Sequence, residues 1–210
     1  DAKEILEIQN YIKTMVSEKI QTQKIAQNTK IDATDDYKMI GDFRNSDFDG
    51  WVSTGLAFGN STTLGNPIID KSSGKLIAFD DGKASSKIFD TGIFGTLRSP
   101  NFVLNSDFIG VRARGDQSTV RVIIDNFQLI QNPIYGDLTK SVNDPDWKNY
   151  TFNVGAWKGH KAYIEILPGE YNRHNFSFSD KAFIEGQYAI SYNSEWPSEI
   201  KITDNSSTNT

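Results

Sequence analysis

Basic side chains that could hold an anionic group alternate with apolar residues in three segments of the chain, 109–114, 120–125 and 161–166. Because successive side chains of a strand point to opposite faces, neighbouring strands of this kind predict one core face and one polar face. The polar face would carry Arg112, Arg114, Arg121, Lys161, Tyr163 and Glu165. A planar guanidinium matches the carboxylate or sulfate of an acidic sugar. The alternative, and the commoner arrangement, is a solvated face whose charges pair with each other.

The segment 126–138 (NFQLIQNPIYGDL) is long for a hairpin connection. Its candidate ligand contacts are Phe127, Gln128 and Tyr135, because loops at the end of a rigid sandwich often carry binding residues. The aromatic rings of this segment would stack on a sugar. Alternatively, they cover the end of the core.

The four tryptophans are the other aromatic candidates. Trp147 follows the turn-forming residues of 143–146, and Trp196 precedes a proline, so both are predicted to be exposed. Trp51 and Trp157 lie beside glycines in apolar segments and are predicted to pack in the core. Trp147 therefore joins the predicted binding residues.

Three carboxylates, Asp42, Asp47 and Asp49, lie within eight residues. Calcium takes six to eight oxygen ligands, and sandwich edges often bind it, so this cluster is a candidate site for a structural calcium ion. The spacing differs from an EF-hand loop, and turn formation explains the same residues equally well. No cofactor is required by any other motif.

Catalytic signatures are missing from the sequence. It contains no G-x-S-x-G, no H-E-x-x-H, no Gly-rich phosphate loop and no cysteine. We therefore expect a protein that is not an enzyme. A glycosidase would need two facing carboxylates, and the candidates for such a pair are Asp125, Glu165 and Glu185.

Composition limits the partners. Lys and Arg number 22 against 27 Asp and Glu, for a net charge of −5, and no basic block suggests nucleic acid. Apolar runs are too short for a transmembrane segment. A cysteine-free chain of 210 residues can still bury a sufficient core, which is compatible with export. The chain is interpreted as a piece of a longer, extracytoplasmic protein, either periplasmic, secreted or at the cell surface.

The first 32 residues differ from the rest. Apolar residues recur there at three- and four-residue steps, the period of an amphipathic helix: Ile5, Ile8, Ile12, Met15, Val16 and Ile20. This helix would either pack on the following domain or form half of a coiled coil.

Segment 37–202 has the signals of an all-β domain, with short alternating runs separated by turn formers. Because no helix long enough for a crossover lies among the strands, the sheet is predicted to be antiparallel, in a β-sandwich. The predicted strands lie near 51–53, 76–79, 95–98, 108–114, 119–125, 150–153, 162–167, 183–185 and 188–192. Gly115-Asp116 is predicted to be a turn between two of them, and 203–210 a disordered polar tail.

Four segments carry a family resemblance: FDGWVSTGLAFG (48–59), GTLRSPNFVL (95–104), IGVRARGDQSTVRVIIDNFQLIQNPIYGDL (109–138) and WKNYTFNVGAWKGHKAYIEI (147–166). Together they resemble the β-sandwich module of large planctomycete secreted proteins, which combine a cytochrome-c-like segment with domains of unknown function. A looser similarity is to the sandwich inserted in levanase-type glycoside hydrolases. The resemblance implies a galactose-binding-like jelly-roll with a carbohydrate-binding role, preceded by a helical arm. The segment AFIEGQYAISY (182–192) departs from the family's acidic closing strand.

Three functions remain open. The first is a non-catalytic module that binds a polysaccharide or oligosaccharide, either neutral or anionic, within a larger secreted bacterial protein. The second is an assembly module that docks other domains of the parent chain. The third is a polysaccharide hydrolase or lyase. Fold alone does not choose among them.

Overall fold

The computed structural model describes residues 36–128, 136–172 and 175–201. The predicted helix 1–32, Tyr135 and the polar tail 203–210 lie outside these ranges. The strands are β1 (Tyr37–Asp42), β2 (Val52–Gly55), β3 (Pro67–Ile69), β4 (Leu76–Phe79), β5 (Ala84–Ser85), β6 (Gly95–Arg98), β7 (Phe102–Val103), β8 (Phe108–Ile124), β9 (Thr139–Asn153), β10 (Lys161–Pro168), β11 (Glu170–Asn172), β12 (Asn175–Ser177) and β13 (Phe183–Tyr192). Two 3₁₀ turns span Gly136–Leu138 and Gly155–Trp157. In the described ranges, no helix combines the length and apolar character needed to cross a bilayer.

The long hairpin of β8 and β9 organises the fold. β9 pairs with residues 108–121 of β8, so it occupies one edge of that strand along most of its length. On the opposite edge, β13 pairs with residues 108–116 and β10 with residues 118–124. The two partners thus follow each other along one edge, and the sheet divides at the point where they meet. A bulge between Gly115 and Ser118 marks this point.

The division produces two antiparallel sheets. The first contains β1, β13 and the N-terminal half of β8, and the second contains the C-terminal half of β8 with β10, β6 and β2. β9 lies beside both halves of β8. Two small hairpins, β3–β4 and β11–β12, pair with neither of these two sheets.

The apolar core lies between these two sheets. The first sheet contributes Ile109, Val111 and Ala113, and the second contributes residues that include Val120 and Ile164. Close packing is visible at Gly186 of the first sheet, where an added Cβ would lie 3.4 Å from the Cδ1 atom of Ile166 in the second. The prediction of an all-β, antiparallel β-sandwich is therefore confirmed.

Some predicted boundaries were wrong. The expected turn at Gly115-Asp116 is part of the continuous strand β8, because the bulge absorbs the break in the pattern of alternation. β9 begins at Thr139, eleven residues before the strand predicted there. In β13, the two predicted strands form one, again across a bulge.

Candidate functional site

The outer face of the first sheet brings together two of the predicted arginines and one tryptophan. Strand register places Arg112 opposite Asn149 of β9 and Arg114 opposite Glu185 of β13. We call this surface the arginine face, and define it by Arg112, Arg114, Trp147, Asn149, Glu185 and Gln187.

Arg112 is held in place by neutral side chains. Its Nε donates to Oε1 of Gln187 at 2.9 Å, and its Nη1 donates to Oδ1 of Asn149 at 2.9 Å. In the described part of the chain no carboxylate forms an ion pair with Arg112. Two of the five N–H donors of the guanidinium are thus used, and its charge is not neutralised by a neighbour.

Arg114 has the opposite environment. Its Nε lies 2.6 Å from Oε2 of the buried Glu185, whose Oε1 also accepts a bond from Ser85. The guanidinium stacks over the half-buried ring of Trp147, 4.8 Å from its centroid. Because Arg114 contacts both groups, it orients Trp147 while its own charge is paired with Glu185. Lys87 lies near the same carboxylate: burial lowers the pKa of Lys87, and the attraction of Glu185 opposes that shift.

The outer face of the second sheet carries the other predicted residues. We call it the tyrosine face, and define it by Arg98, Arg121, Gln128, Tyr163, Glu165 and Tyr171. Arg121 and Glu165 are 5% and 7% exposed and lie 2.6 Å apart, from Nη2 to Oε2. The Arg121 guanidinium also stacks on Tyr171, 4.0 Å from the ring centroid. The Arg121 guanidinium thus binds groups within the protein, Glu165 and Tyr171, and its role is structural.

Tyr163 is only 1% exposed. The Arg98 guanidinium covers its ring at 3.7 Å, and its hydroxyl accepts a bond of 2.7 Å from Nε2 of Gln128. A ligand would have to displace Arg98 to reach the ring. Phe127, next to Gln128, is half-exposed.

The prediction that all of these residues share one face is wrong. The bulge after Gly115 shifts the alternation of β8, and the strand then continues in the second sheet. Arg112 and Arg121 are nine positions apart, about 30 Å of extended chain, and they lie on opposite outer faces of the sandwich. The binding role of Tyr135 remains a prediction outside the described residues.

The remaining tryptophans lie on or under the surface. Trp51 is buried and donates from Nε1 to the Ile40 carbonyl, while Trp157 packs partly buried against the core. Trp196 is partly buried, because it covers Gly110 on the first sheet. The expectation that Trp196 is exposed is thus only partly met.

The aspartates proposed for calcium bind other partners. Asp42 is buried and forms an ion pair of 2.7 Å with Arg44. Asp49 Oδ2 accepts from the Asp42 amide, and Asp47 Oδ1 accepts from the Asp49 amide. Across the described ranges, no group of three or more Asp, Glu or His side chains is arranged to hold a metal ion. The calcium site has no geometric support and remains a prediction.

Sequence reasoning missed two residues of the arginine face, Asn149 and Gln187. Asn149 lies two residues from both Trp147 and Thr151, which would place the three on one face of a strand, but this signal required knowing that the polar segment is a strand. Gln187 lies at a bulge in β13, which single-sequence patterns do not reveal.

No protein-family model matches the chain, and no curated protein matches it. Among solved structures, the K3 cleaved adhesin domain of Lys-gingipain from Porphyromonas gingivalis aligns with 14% identity and a TM-score of 0.44, over 74% of this chain and 99% of that one. TmCBM61, solved in complex with β-1,4-galactotriose, aligns with 10% identity and a TM-score of 0.43, over 75% and 98%. A family 29 carbohydrate-binding module from Piromyces equi aligns with 13% identity and a TM-score of 0.38, over 74% and 88%. At these levels the likenesses carry no argument about ligands, and the resemblance to the planctomycete module remains a prediction.

Proposed function

We propose that this chain is a non-catalytic carbohydrate-binding module and that its ligand is an anionic glycan lying across the arginine face. The observation that carries the proposal is the environment of Arg112: an unpaired guanidinium fixed by Gln187 and Asn149. A donor that is already oriented loses little conformational freedom when it binds a ligand.

The face offers both kinds of contact that a glycan uses. Trp147 supplies an aromatic ring whose orientation is set by Arg114. Asn149 supplies an exposed amide group, and Thr151, on the same strand face, shares its hydroxyl with that of Tyr192 at 2.9 Å. A small number of placed polar groups beside an aromatic ring is the usual composition of a small-molecule site.

The charge of Arg112 supports an anionic ligand. A carboxylate or sulfate can accept two parallel N–H bonds from one guanidinium, and such charge-assisted bonds are stronger than neutral ones. Arg114 and Arg121 have carboxylate partners within the protein, so Arg112 is the arginine of the predicted set that keeps its charge for a ligand.

The arrangement of carboxylates supports a binding role without catalysis. Glu165 and Glu185 belong to opposite outer faces, and each is engaged by an arginine. Glycosidic bond cleavage requires two carboxyl groups about 5 to 9.5 Å apart on either side of the bond. The third candidate, Asp125, is bonded to His160 at 2.6 Å, so each of the three carboxylates already has a basic partner. We also propose that the chain acts as one module of a larger, extracytoplasmic protein. Attachment to that protein would raise the effective concentration of a weak glycan binder.

The test compares charged polysaccharides with matched neutral forms: polygalacturonate with its fully methyl-esterified form, and dextran sulfate with dextran. We expect binding to a charged form and its weakening at high salt, because exposed charges are screened. Arg112→Gln should weaken binding by about 10- to 100-fold, the range for one hydrogen bond to a charged group. Arg98→Gln is the matched control, since it removes the same charge from the tyrosine face and should leave binding unchanged.

Equal binding of charged and neutral forms would contradict the anionic ligand but keep a carbohydrate role. Silence towards all four polysaccharides from a folded sample would contradict the proposal as a whole.

An assembly module is the second candidate, and the β3–β4 hairpin favours it. Its residues Ile68, Ile69, Leu76 and Ile77 are 42–66% exposed, and within the described residues these strands pair only with each other. Exposed apolar patches of this kind mark interaction surfaces. If Ile77→Lys lowers the mass of a complex measured by sedimentation while glycan binding is absent, the assembly role replaces the first proposal.

A further inference from the structure

An apolar pocket of about 200 Å³ opens at the edge of the sandwich, away from the arginine face. It lies between β1 of the first sheet and the segment around β7, beside the second. Its lining residues are mostly apolar and include Lys38, Met39, Val103, Leu104, Ile109 and Ser191.

The floor of the pocket belongs to the hydrophobic core. Leu104 and Ile109 are each 1% exposed, so these two core residues close the inner end of the pocket. The strands explain the opening: β7 has only two residues, and β1 pairs only with β13 among the described strands. The two sheets therefore lack a strand that would close this edge.

A lysine lies at this pocket. Lys38 is exposed, and in the described part of the chain it forms no ion pair. It stands opposite Ser191 in the pairing of β1 with β13, and both residues line the pocket. The pocket thus combines an apolar interior with a free positive charge and a hydroxyl.

We propose that this pocket binds a small hydrophobic anion, with the apolar part against Leu104 and Ile109 and the anionic group at Lys38. An apolar cavity of about 150 Å³ is large enough for a benzene ring. The pocket therefore suits a phenyl ring or a chain of about six carbons, with a carboxylate at one end. This site shares no residue with the arginine face, and it stands independently of glycan binding.

The two methionines of the chain provide a direct probe. They are Met15, which lies outside the described residues, and Met39, which lines the pocket. In the full chain labelled with ¹³C at the methionine methyl groups, Met15→Leu assigns the two signals. Titration with phenylacetate is expected to shift the Met39 signal saturably. Phenylacetamide, which has the same shape without the charge, should bind about fivefold more weakly, as expected for one exposed ion pair.

Two variants test the parts of the site. Lys38→Gln should abolish the preference for phenylacetate over phenylacetamide while leaving weak binding of both. Val103→Trp places a large ring at the half-exposed lining and should abolish binding. Val52→Trp, the control, changes a somewhat more exposed valine on β2 that does not line the pocket.

No saturable shift of Met39, or equal binding of acid and amide by the unmodified chain, would overturn the proposal. So would unchanged binding by a folded Val103→Trp chain. Should that variant fail to fold, the Lys38→Gln comparison decides the question, because an exposed lysine can be replaced without disturbing the core.

Discussion

Replacing Glu165 by Gln removes one charge from a buried ion pair and keeps the shape of the side chain. Arg121 and Glu165 contact each other through both Nε and Nη2, at 2.7 and 2.6 Å. Tyr171 covers the guanidinium from the outside. After the substitution, Arg121 would remain buried with its charge uncompensated.

The expected cost is large. Breaking a buried ion pair by removing one partner destabilises a protein by about 3–5 kcal/mol, out of a total stability of about 5–15 kcal/mol for a domain. Replacing both residues by apolar ones, Arg121→Met with Glu165→Leu, should recover most of this loss, because neither charge then remains buried.

Urea unfolding followed by tryptophan fluorescence gives the free energy of unfolding for each variant. Asp144→Asn is the control, since its exposed pair with Lys148 has a separation of 3.5 Å and should contribute less than about 0.5 kcal/mol. A loss below about 1 kcal/mol for Glu165→Gln, or a double variant no more stable than the single one, would refute the structural role of this pair. Arg121 would then have to be reconsidered as a ligand contact.

Three further predictions concern single positions. A Cβ added at Gly110 would lie 2.4 Å from the Trp196 ring, so Gly110→Ala should cost about 1–3 kcal/mol, and a urea midpoint unchanged from that of the unmodified chain would be inconsistent with this contact. Trp51→Phe leaves the Ile40 carbonyl without its bond and should cost about 1–3 kcal/mol in the same assay; a loss smaller than that of an exposed control would argue against the bond. The Ser73 hydroxyl holds the pKa of Asp70 at about 2, against an ordinary value of 3.8, so the stabilising bonds of this turn should be complete above pH 4 and lost as the pH falls through 2. The ¹³C shift of the Asp70 carboxyl group reports this titration, and a midpoint near 3.8 would contradict it.

Local patterns predicted the strands whose alternation is regular. β10 and the two halves of β8 were recognised because apolar and polar residues alternate without interruption. At Gly115 the alternation breaks, and a glycine followed by an aspartate is a typical turn sequence. The structure instead inserts a bulge, an outcome that depends on the pairing of β8 with distant strands.

The first eleven residues of β9, 139–149, were missed for a different reason. This segment is mostly polar and includes Pro145, which argues against a central strand. Among the described strands it pairs only with β8, so it is an edge strand, where proline and charged residues are tolerated.

Half of the candidate site could be read from the sequence. Arg112 and Arg114 were correctly assigned to an outward face of β8, because their neighbours are apolar. The groups that distinguish the two arginines, Gln187 and Glu185, are 75 and 71 residues away along the chain. Strand pairing brings them together, and pairing cannot be deduced from local periodicity.

The most direct test of the proposed function is to follow the indole N–H signals of the four tryptophans by NMR while a sulfated or uronic-acid oligosaccharide is added. The account predicts that the Trp147 signal shifts saturably, that the signals of the buried Trp51 and of Trp157 do not move, and that Arg112→Gln abolishes the shift. Saturable binding that leaves Trp147 unchanged would contradict the account, because the glycan would then lie elsewhere than on the arginine face.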